Sequence, residues 1–210
     1  LHRVDRRQRQ MCIRDSDGFR QRVGWEKAFI LLCLRAWEPL YGVDVVIRAF
    51  VRAAQQIPQL RLILLGNGSQ AAEIRRILLE HGMMERVYFG GQVSNRELPR
   101  FYRAANLYVS ASHSDGSSVS LLEALACGKP VVVSDIPGNR EWVTPGQQGW
   151  LFPDGDVDAL TVCLLEAVSA PRQLVKMSAA ARRLAEERAD WNRNAAKMLE
   201  GYELALRLHH

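Results

Sequence analysis

The chain has no run of about eighteen apolar residues, so no membrane-spanning helix is expected. Its basic start is not followed by an apolar stretch and does not read as a secretory signal. Cysteine is scarce: Cys12, Cys33, Cys127 and Cys163 form no C-x-x-C pair and show no metal-ligand spacing. Structural zinc is therefore disfavoured and no metal site is expected. Three of the four lie in apolar segments and read as small core residues in a reducing, cytoplasmic setting. No G-x-S-x-G elbow is present, so His113, Asp115 and Ser117 resemble a hydrolase set in composition only. "GNG" at 66–68 is half of a G-x-G-x-x-G fingerprint, with Ala71 where the third glycine belongs. There is no internal repeat and no low-complexity stretch.

An excess of acidic residues is also missing, and the net charge is +5. Residues 1–27 hold eight Lys/Arg against four Asp/Glu, and the remainder holds twenty against nineteen. A nucleic-acid binder needs its basic stripe on the folded domain. Here the excess sits at the start, and no nucleic-acid partner is expected.

What is present is the composition of an ordinary globular domain, 48% hydrophobic and 24% charged. Residues 1–24 are rich in Arg and Gln and carry neither helical nor strand periodicity. They are expected to be a disordered or foreign tail. "RQMCIRDS" resembles translated adapter read-through, and a natural linker is the alternative. From Ala28 the pattern changes. "AFILLCL" is a continuous apolar run of the kind a strand buried on both faces requires. Strand and helix signals then alternate to Val168: a helix over 42–57, "LRLILLG", a helix from a Ser69 cap to Gly82, and "RVYFGG". They continue with a helix capped by Asn95, "NLYVSAS", a helix over 118–127 stopped by Gly128, then "PVVVSD" and "GWLF". Helices at 157–168, 172–188 and 191–208 close the chain, the second opened by Pro171. This order predicts an α/β fold, a Rossmann-like doubly wound parallel sheet over residues 25–188 with a helix over 189–210.

Such a sheet binds ligands at the carboxyl ends of its strands. Four loops fall there: "RAWEPLYG", "GNGS", "GGQVSN" and "SHSDGSSVS". In the last, small residues lead into a helix whose first N–H groups and dipole suit a phosphate. Asp115 precedes that turn and Glu123 lies within the helix. Ionised carboxylates accept hydroxyl bonds strongly, so the pair suits sugar hydroxyls. The plainer readings are a turn or cap for Asp115 and a solvated helix position for Glu123. Asp154-Gly155-Asp156 has the look of a metal-binding D-x-D, but its place before a helix favours capping.

"SHSDGSSVSLLEALACGKPVVVSDIPGNREWV" resembles the signature of the family 4 retaining glycosyltransferases of GT-B architecture. In that family a Glu-(seven residues)-Glu pair precedes L-E-A-x-A-C-G-x-P-V-V. "LRAWEPLYGVDVVIRAF", "LLGNGS", "VYFGGQVSNRELPRFYRAANLYVSAS" and "GWLFPDGD" follow the family's order, and the likeness covers about residues 28–170. The resemblance implies that this is the C-terminal, nucleotide-sugar-binding half of such an enzyme. Its substrate is a nucleoside-diphosphate sugar, with no separate cofactor. It implies that Glu123 holds ribose hydroxyls, Asp115 faces the donor sugar and Arg35 binds the diphosphate; these three form the candidate catalytic set. Backbone N–H groups around Ser117, Ser118, Val119 and Ser120 would meet the phosphates, and the backbone at Gly91–Val93 the base. Tyr41, Gly66 and Gly116 complete the expected donor-site set. A glycan or lipid-linked acceptor would bind a missing N-terminal domain, to which the last helix would cross. Membrane contact, at the inner face, would come through that half. Two positions depart from the pattern: Tyr41 stands where Lys is usual, and Asp115 is about 1.5 Å shorter in reach than Glu. A non-catalytic nucleotide-sugar-binding module stays open. A dinucleotide oxidoreductase or epimerase also stays open, although "LRAWEPLYG" is not the glycine-rich turn it needs.

Overall fold

The computed structural model describes residues 18–189 and 191–208. Six strands form one sheet: β1 (Phe29–Leu34), β2 (Leu60–Leu65), β3 (Val87–Gly91), β4 (Leu107–Ser110), β5 (Val131–Ser134) and β6 (Gly149–Phe152). Every pairing is parallel, and the order is β3-β2-β1-β4-β5-β6. The helices are α1 (18–22), α2 (Val43–Gln56), α3 (Ala71–Glu80), α4 (Leu98–Ala104) and α5 (Val119–Ala126). After them come α6 (Pro137–Arg140), α7 (Val157–Ser169), α8 (Pro171–Arg188) and α9 (Trp191–Leu208).

The apolar runs become strands because both faces of the sheet are covered. Alternate side chains of β1 divide between two cores, Leu31 and Cys33 to one and Ile30 and Leu32 to the other. β2 repeats the division, with Leu60, Leu62 and Leu64 on the first face and Ile63 and Leu65 on the second. α2, α3 and α7 cover the first face; α4, α5 and α8 cover the second. Each buried Leu or Ile contributes about 1.5–3 kcal/mol. Gly42 links this packing to the upper end of the sheet. It caps α2 at φ 56°, and a Cβ there would lie 2.1 Å from the Ala111 carbonyl oxygen. The β1–α2 loop therefore sits directly against the end of β4.

Several local expectations are corrected by tertiary partners. α3 starts at Ala71 without a side-chain cap, because Ser69 gives its hydroxyl and its N–H to Glu38. α4 starts at Leu98 without Asn95 as its cap. Residues 137–140 form a helical turn opened by Pro137 that no periodicity announced. Asp156 does cap α7, accepting from the Ala159 N–H at 2.9 Å. Its partner in the D-x-D look-alike, Asp154, pairs with His113.

The main correction concerns the tail. Residues 1–17 lie outside the described residues, but 18–24 belong to the domain. Phe19 on α1 is 2% exposed, with its ring edge-on to Tyr88 and Phe101. Arg20 donates to the carbonyls of Ala104 and Ala28 and to Asn106 Oδ1. Among the described residues, no helix is long and apolar enough to cross a membrane. On α9, Met198, Leu199, Tyr202 and Leu206 are exposed.

Candidate functional site

The strand order reverses direction between β1 and β4, and the loops after these two strands diverge from that point. In an open parallel sheet this switch point is where a crevice forms. Arg35 follows β1 at once, and the loop after β4 carries Asp115 into α5. A cleft of about 620 Å³ opens there. Arg35, Tyr41, Gly66, Val93, Asp115, Ser117, Ser118, Val119, Ser120 and Glu123 all line it. Residues up to 88 positions apart in sequence thus share one surface.

Arg35 is the hub. One terminal nitrogen donates to Ser118 Oγ at 2.8 Å and Ser120 Oγ at 3.3 Å. The other meets Asp115 Oδ2 at 2.5 Å. The guanidinium lies over the Tyr41 ring, 4.3 Å from its centroid. Tyr41 therefore supplies a π face to the guanidinium, an interaction worth about 0.5–2 kcal/mol. Gly66 fixes the backbone beneath: its φ is 103°, and a Cβ would lie 2.2 Å from the Arg35 carbonyl oxygen. Cys33 sits just below, and burial pushes its thiol up to about 12, so it stays protonated and inert.

α5 opens at Val119 with Ser118 as an N-cap that makes no side-chain cap bond. Its leading turn, with its partial positive charge, forms one wall of the cleft. Glu123 stands one turn in and accepts from the Tyr102 phenol at 2.9 Å. Tyr108 contacts Ser120 Oγ at 2.8 Å. Burial raises both phenols, Tyr102 well above its ordinary value and Tyr108 to about 12, so both stay neutral. The arrangement offers a cation, a helix N-terminus and a carboxylate to one ligand. That set fits a molecule with an anionic group and hydroxyls.

Two expected residues fall outside this surface. Gly91 lines a neighbouring depression of about 460 Å³ with Trp37, Arg75 and Phe89, which shares Gly66, Asn67 and Gln92 with the cleft. Gly116 is absent from the lining, and its carbonyl packs against Gly138. Gln92, within the expected Gly91–Val93 segment, lines the cleft; Asn67 and Asn95 also line it and were missed, since each lies in a loop that the strand pattern locates but nothing in the sequence aims it. His113, Asp115 and Ser117 do not assemble, since they bond Asp154, Arg35 and Trp142 respectively. Among the described residues, no three His, Cys, Asp or Glu side chains gather as a metal site.

Residues 15–184 match the family model described as "Glycosyl transferases group 1". The GDP-mannose-dependent alpha-(1-6)-phosphatidylinositol monomannoside mannosyltransferase of Mycolicibacterium smegmatis is 28% identical over 188 residues, 86% of this chain and 49% of that protein. The D-inositol 3-phosphate glycosyltransferase of Thermobispora bispora is 32% identical over 87% of this chain and 45% of its own length. The chain thus spans about half the length of these curated relatives. The crystal structure of Anabaena HepE in complex with UDP-glucose superposes with a TM-score of 0.82 at 25% identity, covering 90% of this chain and 53% of that one. A doubly wound parallel sheet with its cleft at the switch point and a family match over most of the chain agree: the protein belongs to the group 1 glycosyl transferases.

Proposed function

We propose that the cleft binds a nucleoside-diphosphate sugar, and that a further domain brings an acceptor to which the sugar is transferred with retention. The observation that carries this reading is the convergence of Arg35, the uncapped N-terminal turn of α5 and the Glu123 carboxylate on one cleft. Arg35 and the helix N-terminus hold the diphosphate, where a guanidinium fork and a dipole stabilise charge as the sugar departs. Glu123 accepts ribose hydroxyls. Asp115 faces the donor sugar. The backbone near Gly91 to Val93 meets the base, with the neighbouring depression giving it room. α9 crosses to the further domain, which also makes any contact with a membrane.

Calorimetric titration with uridine and guanosine diphosphates, against NAD, tests this. A diphosphate should bind and NAD should not. Bonds to a charged group are worth about 1.5–3 kcal/mol each, so Glu123→Ala should weaken diphosphate binding on the order of 100-fold. Arg35→Ala should cost roughly tenfold, because the α5 terminus still contributes. Asp115→Asn removes a competing charge and leaves the second nitrogen of Arg35 facing only a neutral amide oxygen. It should tighten free diphosphate roughly threefold, in keeping with a partly exposed ion pair, while weakening the sugar conjugate. Unchanged affinity in Glu123→Ala would overturn the reading.

The chain alone should bind donor without transferring sugar. Positioning donor against acceptor is worth up to about 7–11 kcal/mol and needs both domains. Turnover with a simple acceptor by the purified 210-residue chain would refute this division of labour.

A further inference from the structure

The ribose reading of Glu123 leaves open how a carboxylate on a helix surface keeps one orientation. Tyr102 answers it. It lies on α4, not on the helix that bears Glu123, and it is 1% exposed. Its hydroxyl stands 2.9 Å from Glu123 Oε2 and 3.0 Å from the Ser120 carbonyl oxygen. One phenolic proton serves one acceptor at a time, and the charged carboxylate is the stronger acceptor. Among the described residues, Glu123 Oε1 has no hydrogen-bond partner, so one oxygen is held from behind and the other is left for a ligand. Burial keeps the phenol neutral and donating far above physiological pH.

We propose that Tyr102 is a positioning residue whose phenol clamps Glu123 Oε2 against α5, so that Oε1 is presented to the ribose hydroxyls of the nucleotide. The inference rests on the ribose reading of Glu123. A buried tyrosine that merely satisfied its hydroxyl on Ser120 would affect stability but not the choice of ligand. The clamp instead predicts a loss confined to the ribose.

Tyr102→Phe keeps the ring and removes the hydroxyl. The test compares uridine and guanosine diphosphates with their 2′,3′-dideoxy analogues by calorimetry, for wild type, Tyr102→Phe, Glu123→Gln and Tyr108→Phe. Thermal unfolding confirms that each variant is folded. For the base that binds, wild type should prefer the ribonucleotide at least about tenfold, from hydroxyl bonds to a charged group. In Tyr102→Phe that preference should shrink roughly fivefold, with dideoxy affinity unchanged. Tyr108 contacts Ser120 and not Glu123, so Tyr108→Phe should lower both affinities together and keep their ratio. Glu123→Gln should collapse the ratio. If it does and Tyr102→Phe keeps the wild-type ratio, or loses both ligands equally, the clamp is overturned while the ribose reading stands. If Glu123→Gln leaves the ratio unchanged, or neither diphosphate binds the wild-type chain, the ribose reading is overturned and the clamp with it.

Discussion

Phe19→Ala is expected to destabilise the domain by about 3–5 kcal/mol, the range for removing a buried aromatic ring. The ring is 2% exposed and meets Tyr88 at 5.1 Å and Phe101 at 5.3 Å between centroids, both edge-on. Those partners lie on β3 and α4, so the loss opens the second core where three elements meet. Deleting residues 1–23 should cost more, because Arg20 goes too. Its Nη2 reaches Asn106 Oδ1 at 2.7 Å, and the same oxygen accepts the Ile30 N–H at 2.8 Å. That pair fixes the start of β1 beside the link into β4. Denaturant unfolding at unchanged slope measures the effect. A loss under about 1 kcal/mol, within the ordinary range for a single substitution, would show that α1 is only laid on the surface.

Why α1 was illegible while β1 was plain is a matter of signal length. "AFILLCL" declares itself because every position is apolar, as burial on two faces demands. The five described helical residues offer no repeat of the 3.6 period, and Phe19 is a lone aromatic among Arg and Gln. Its burial is decided by Tyr88 and Phe101, about 70 and 80 positions away. The same distinction runs through the site. Asp115, Ser118 and Glu123 could be named because they sit within one strand–turn–helix unit, and Ser120 only through the family resemblance. Arg35 could be named through the family resemblance, which expects an Arg after the first strand. Their mutual geometry could not be read. That Arg35 would pair with Asp115 and stack on Tyr41 depends on three loops meeting at the switch point. Ser69 and Asn95 fit the local rule for helix caps, yet Ser69 turned to Glu38 and Asn95 to the cleft. Local propensity loses there to a longer-range partner. Tyr102 illustrates the limit most clearly: its spacing marks only a buried face of α4, and Glu123 lies on another helix.

Lys129 gives the second large expected effect, one of pH. Its ammonium is partly buried and donates to the carbonyls of Arg103 at 3.2 Å and Ala105 at 2.8 Å, at the C-terminal end of the helix that carries Tyr102. Its pKa is lowered from 10.5 to about 8, chiefly by burial, with Cys127 acting against the shift and nearby Arg20 and Arg103 adding to it. Below pH 8 both folded and unfolded chains hold the proton, and the native state bears the whole cost of burying the charge. Between pH 8 and 10.5 the native chain has released it while the unfolded chain still holds it. The unfolded state then binds more protons, so stability rises with pH across this window. At about 1.4 kcal/mol per unit, the native chain should gain about 3 kcal/mol relative to Lys129→Met. Burial raises the Cys127 thiol, which works in the opposite direction above pH 9, so both proteins should carry Cys127→Ala. The measurement is the difference in unfolding free energy between the pair from pH 7 to 11. A difference that stays flat, or that moves against Lys129 as pH rises, would mean that the ammonium is as well solvated in the fold as in the unfolded chain. Its two carbonyl bonds would then be ordinary capping contacts of α4.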